Sequence, residues 1–174
     1  MKANVIGAGI GGLATAVALQ QQEIAVRVYE RAAAPRAVGA GLSLWANAGY
    51  ALDKLGLGEM VRALGVPSHD TAIFAADGTV LTTSSGAKMA ERFGAPMVIA
   101  HRAELIEVLT EAAGDVITYG RPFARYEQNN DAVVVHLADG GFDTAQVLIG
   151  ADGIHSAVRG QMQSAVTPVY RGYA

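Results

Sequence analysis

Val5-Ile6-Gly7-Ala8-Gly9-Ile10-Gly11-Gly12-Leu13 places four glycines between two apolar stretches. Before them, Ala3 to Ile6 reads as a short buried strand. After them, "LATAVALQQQ" (13–22) reads as a helix with small apolar residues along one side. "IAVRVYE" (24–30), rich in β-branched residues, reads as a second strand. Strand, glycine turn, helix and strand span about thirty residues, the size of a βαβ crossover. Gly7, Gly9 and Gly12 fit the spacing G-x-G-x-x-G. In that pattern the first glycine makes the tight turn and the second lets the backbone approach a pyrophosphate. The third lets the helix pack close to the strand. The phosphates then meet unpaired N–H groups at the positive end of the helix dipole. Glu30 ends the second strand, near the distance where a carboxylate takes ribose hydroxyls. The reading is a dinucleotide site. The fingerprint does not separate NAD from FAD, because both carry the same ADP half.

Composition narrows the alternatives. The chain has 174 residues, enough for one good core and too few for two full-sized domains. Charged residues make up 17%, against roughly 25% in an average soluble domain. That shortfall implies apolar surface in need of cover. The net charge of −3 with no basic block argues against nucleic acid. The absence of cysteine rules out disulfides and thiolate metal sites, and fits a cytoplasmic location. Lys2 alone precedes the first apolar run and glycines interrupt it, so it is not read as a secretory signal. No stretch has the length of a membrane span.

Further along, "NAGYALDKLGL" (47–57) reads as a helix capped by Asn47 and stopped at Gly56 or Gly58. "TAIFAADGTVLTT" (71–83) reads as a hairpin with a two-residue turn at Asp77-Gly78. "RAELIEVLTEAA" (102–113) reads as an amphipathic helix burying Leu105, Ile106 and Leu109. Strands are expected at 115–119, 123–128 and 132–138. Asp139-Gly140-Gly141 then turns the chain into one more strand, 142–150, to form an antiparallel meander.

Four stretches stand in order: the glycine fingerprint, "YERAAAPRAVGAGLSLWANAGYALDKLGL" (29–57), "AHRAEL" (100–105) and "VLIGADGIHSAVR" (147–159). Together they resemble the FAD-dependent aromatic hydroxylases, the single-component flavin monooxygenases of the salicylate, urate and para-hydroxybenzoate hydroxylase type. The most specific piece is the D-G-x-x-S-x-x-R stretch, Asp152 to Arg159. The resemblance implies an α/β, Rossmann-like FAD-binding fold of the glutathione-reductase type, carrying an antiparallel β-meander. It implies FAD as cofactor, NADH or NADPH as transient reductant, and a small aromatic or heteroaromatic substrate. By the same resemblance Gly7, Ala8, Gly9, Ile10, Gly11 and Gly12 would cradle the pyrophosphate, and Glu30 would hold the adenosine ribose with Arg31 beside it. Gly41 and Leu42 would run close to the flavin, with Arg102 at its phosphate or ribityl chain. Asp152 and Gly153 belong to the segment used for cofactor binding, and 123–125 would lie near the adenine. No catalytic residue is named, and Arg159 is expected to tie down its own helix. His101 and His155 are read as structural, Trp45 as packing, and Arg36 as surface charge.

Members of this family run to about twice this length, with a substrate sheet beginning after a stretch like Tyr170-Arg171-Gly172-Tyr173 and a later Gly-Asp motif. The expectation is therefore the truncated N-terminal half. Its FAD-binding domain would comprise 1–66 and 100–163, with 67–99 a hairpin excursion and 164–174 the start of the substrate domain. Two other readings stay open. One is a non-catalytic association module, with an oligomer or partner chain over the truncated face. The other is an NAD-dependent dehydrogenase half, which leaves Asp152 to Arg159 unexplained.

Overall fold

The computed structural model describes residues 1–35, 40–68, 70–163 and 168–172. Arg36, Tyr173 and 164–167, which carried expectations above, lie outside the described residues. The chain divides into two compact units, one of 1–36 with 109–174 and one of 37–108.

The first unit is built on β1 (Lys2–Ile6), α1 (Ile10–Gln21) and β2 (Ala25–Tyr29). β1 and β2 pair in parallel, with Val5 opposite Val28, so the glycine stretch does open a βαβ crossover. β8 (Ile117–Thr118) joins β2 in parallel and β12 (Val147–Gly150) joins β1, giving the order β12-β1-β2-β8. A strand side chain points to alternate faces. Ala3, Val5, Val26 and Val28, all buried, therefore share one face, the side on which Leu13, Ala16 and Val17 of α1 are buried. Ile6 and Tyr29 lie on the other. They pack with Val135, Leu137 and Val158 against the meander, which comprises β9 (Phe123–Gln128), β10 (Val133–Leu137) and β11 (Phe142–Ala145). α6 (Ala157–Gln163) closes this side.

The expected strand over 142–150 is two strands in two sheets. The chain crosses between them at Gln146, whose N–H donates to the Lys2 carbonyl at 3.0 Å and whose Oε1 accepts the Lys2 N–H at 2.7 Å. The segment 115–119 likewise belongs to the parallel sheet rather than the meander. Lys2 and Tyr29 both reach the Asp143 carboxylate, tying sheet to meander. Burial first, then the bond to Asp143, pushes the Tyr29 phenol up to about 12. Burial alone would raise Asp143, but the Lys2 and Tyr29 hydrogen bonds hold it below the usual carboxylate value.

In the second unit β3 (Gly41–Leu44) and β4 (Val66–Pro67) flank β7 (Val98–His101), both antiparallel to it. α2 (Ala46–Lys54) begins one residue before Asn47, with Trp45 rather than Asn47 at its cap and no side-chain cap bond. Gly56, at φ +74°, ends it as expected, and α3 (Gly58–Leu64) follows without having been anticipated. β5 (Asp70–Phe74) and β6 (Val80–Ser85) form the hairpin, followed by α4 (Gly86–Phe93). Its turn is not the two-residue one. Gly78 N–H bonds Ala75 C=O, Ala75 N–H bonds Thr79 C=O, and Gly78 sits at φ +87°. That is a three-residue loop with a left-handed glycine. The Asp139-Gly140 turn repeats it, with Leu137 N–H on Gly141 C=O. Trp45 is half exposed rather than core. α5 (Arg102–Ala113), whose residues from Leu109 on belong to the first unit, matches the expected helix, with Leu105 and Leu109 fully buried and Ile106 only partly so.

Asn4 stands in the middle of β1 with no exposed surface, and neither amide atom has a hydrogen-bond partner. Burying an unsatisfied amide costs about 1–3 kcal/mol. Asn4→Val should therefore stabilise the fold by a similar amount, read as a higher midpoint in thermal or urea unfolding. A lower midpoint would show that the amide is satisfied in solution.

Candidate functional site

The turn between β1 and α1 is held from three sides. Gly7 N–H donates to the Tyr29 carbonyl at 2.8 Å, and Ala151 N–H donates to the Ile6 carbonyl at 2.8 Å. Gly7 adopts φ +104°, and a Cβ there would lie 2.5 Å from the Ala151 oxygen. A Cβ on Gly12 would lie 1.9 Å from the Gly7 oxygen. These two glycines are required by the protein's own packing. Gly9 differs. Its φ of −80° is open to any residue, and a Cβ there would meet no atom within 4 Å. Gly11, at a position the fingerprint leaves free, is equally unconfined.

Around this turn lies a cleft of about 290 Å³ within the first unit. Gly7, Gly9, Glu30, Arg31, Asp152 and Gly153 line it. Sequence reasoning had placed each of them at one site, and the fold brings them together. Ala8 joins them through its N–H, which donates to Glu30 Oε2 at 2.8 Å, and Ile10 to Gly12 form the first turn of α1. That turn has no side-chain cap bond and no acidic residue, so its N–H groups and dipole face the cleft uncompensated by side chains. Gly41, Leu42 and Arg102 lie in the second unit. There Gly41 pairs with His101, Leu42 pairs with Ala100, and Arg102 N–H donates to the Ala40 carbonyl at 3.3 Å.

Both acids of the cleft are engaged by backbone. Glu30 takes Ala8 N–H on one oxygen and Ala32 N–H on the other, each at 2.8 Å. Each oxygen keeps a further lone pair, so the carboxylate is oriented as an acceptor for hydroxyl donors. Asp152 accepts Ser156 Oγ at 2.5 Å and the N–H groups of Ala157 and Val158 at 2.7 and 3.2 Å. It caps α6, the helix-cap chemistry of an aspartate. Ser156 Oγ accepts Arg159 N–H, and Arg159 Nη2 donates to the Ile154 carbonyl at 2.5 Å. The D-G-x-x-S-x-x-R stretch is thus a closed hydrogen-bonded unit. It turns Gly153 and His155 toward the cleft, so His155, read above as structural, stands on its wall. His101 is a ladder residue of β7.

Sequence reasoning missed Tyr29, Pro122, Ala151 and Ala157 as lining residues, and placed Phe123 near the adenine. Tyr29 was findable, being the last strand residue before Glu30. Pro122 and Phe123 come from over ninety positions later in the chain, and the pairing of β8 with β2, continued by Arg121 N–H on the Glu30 carbonyl, brings them here. Among the described residues there is no cluster of His, Asp or Glu arranged for a metal ion, and no helix is long and apolar enough to cross a membrane.

Residues 1–170 match the family model described as "FAD binding domain". The 3-amino-4-hydroxybenzoate 2-monooxygenase of Streptomyces cremeus is 39% identical, over 98% of this chain and 44% of that protein. The aurachin C monooxygenase/isomerase of Stigmatella aurantiaca is 38% identical, over 97% of this chain and 44% of that protein. Among solved structures, Klebsiella pneumoniae HpxO complexed with FAD and uric acid superposes with a TM-score of 0.84. The two are 38% identical, over 92% of this chain and 41% of that one. The chain spans less than half the length of the relatives it matches.

The two kinds of glycine separate by experiment. Gly12→Ala should lose stability heavily, by several kcal/mol, because the new methyl meets backbone that cannot yield. Gly9→Ala should unfold within about 0.5 kcal/mol of the parent. Chemical denaturation of the two variants side by side checks this, and equal losses would remove the distinction.

Proposed function

The chain is a member of the FAD-binding domain family, and from that membership we propose that the cleft of the first unit holds the ADP half of FAD. The observation that carries this is Gly9. The protein leaves its Cβ direction empty for no packing reason of its own, and a backbone bare at that point suits the close approach of a pyrophosphate. The N–H groups of the first turn of α1 would bond phosphate oxygens. Glu30, already aligned by Ala8 and Ala32, would accept the ribose hydroxyls. Arg31, on the same cleft wall, would lie beside the adenosine half. Asp152 serves through α6, presenting the Gly153 backbone and His155 to the cofactor while its carboxylate stays on the helix. Gly41, Leu42 and Arg102 would serve the flavin side.

In the complete protein we assign the site to a flavin monooxygenase that hydroxylates a small aromatic or heteroaromatic molecule in the cytoplasm. The redox chemistry, reduction by NADH or NADPH and reaction with O2, is the flavin's own when bound. This half contributes binding, orientation and exclusion of water. Support comes from relatives whose names specify aromatic and heteroaromatic substrates. A second reading, association through an apolar face, is favoured by the hairpin. There Ile73, Phe74, Val80 and Leu81 are all more than half exposed.

Absorbance of the purified protein, with titration of added FAD by flavin fluorescence, tests the first reading. The parent should bind FAD, Gly9→Val should weaken binding at least about tenfold by filling the phosphate approach, and its unfolding midpoint should hold. Equal affinity in parent and variant would overturn the assignment. Light scattering on the same samples decides the second reading, which a monomer with or without FAD would remove.

A further inference from the structure

α6 has seven residues and is pinned at both ends. Asp152 and Ser156 hold its first turn. Near its last turn, Gln161 reaches the meander. Tyr126 N–H donates to Gln161 Oε1 at 2.9 Å, and Gln161 Nε2 donates to the Tyr126 carbonyl at 2.6 Å. β9 is an edge strand of the meander, in the order β11-β10-β9. Tyr126 lies mid-strand opposite Val135, with its own N–H and C=O turned outward. One primary amide therefore makes both bonds that a neighbouring strand would make there. Gln161 is itself exposed, so its contribution is not packing.

The two elements it joins both supply lining of the cleft. Phe123 comes from β9, while His155 and Ala157 come from the entry to α6. Val158 is the residue of α6 that enters the core, and Gln161 is the side chain that ties the later part of the helix to β9. We propose that Gln161 is a positioning residue of the cleft: its amide locks α6 to β9 and so sets the Asp152–Ala157 wall against Phe123. The ligand part of this inference rests on the cleft being the FAD site; the mechanical part does not.

Gln161→Met keeps length and helix propensity and removes both bonds, and Gln161→Glu keeps only the acceptor. Amide exchange of the native protein is measured with FAD titration and thermal unfolding. In Gln161→Met the amides of Tyr126, Ala157 and Val158 should exchange about tenfold faster. FAD should bind several-fold more weakly while the midpoint moves by no more than about 2 °C. Gln161→Glu should fall between Met and the parent. Unchanged exchange at Ala157 and Val158, or loosening there with parent-like FAD affinity, would overturn the proposal. If the parent itself binds no FAD, the reading of the cleft falls, and the exchange of Ala157 and Val158 alone decides whether Gln161 locks the wall.

Discussion

The close approach of α1 to the turn that precedes it is the constraint on which the first unit depends. Gly12 packs so tightly on the Gly7 carbonyl that no side chain fits between them. That contact sets the direction in which α1 leaves β1, and hence where its N-terminus points. At the same turn the Gly7 N–H continues the β1–β2 ladder onto the Tyr29 carbonyl, next to Glu30. Backbone geometry, more than any side chain, assembles this corner of the cleft.

The side chains then stabilise what the backbone has arranged. Glu30 bonds Ala8 and Ala32, and Asp152 bonds Ser156, Ala157 and Val158. Both carboxylates are oriented before any ligand arrives, which lowers the ordering cost of binding. They differ in what is left over. Glu30 presents spare acceptor capacity to the cleft, whereas Asp152 has its oxygens turned to the helix it caps. The Asp-Gly stretch and the Gln161 amide together make α6 a fitted wall.

The second unit shows the opposite balance. β5 and β6 are exposed along nearly their whole length, and a two-stranded ribbon has little independent stability in water. Its turn and register are well defined, through Gly78 and the Ala75–Thr79 bond. Its apolar residues nonetheless find no core. The low charge content of the sequence anticipated such a surface.

Much of the fold was legible because its signals are local. The βαβ opening, α5 and the meander strands follow from periodicity and from glycines whose turns leave few alternatives. Where the reading failed, the deciding bond was in one case distant and in others local. The split of 142–150 depends on Gln146 meeting Lys2, and the cap of α2 fell to Trp45 because Asn47 lies inside the first turn. The Asp77-Gly78 hairpin loop gained a residue from a left-handed glycine that composition cannot distinguish from a two-residue turn. For the site, the sequence by itself determined which residue types could meet a dinucleotide: the fingerprint glycines, Glu30 and the Asp152 stretch. Only the tertiary structure decided that Pro122 and Ala151 join Glu30 in one cleft, and that Gln161 ties its walls. Those outcomes depend on contacts between residues far apart in the chain, which spacing along a sequence does not encode.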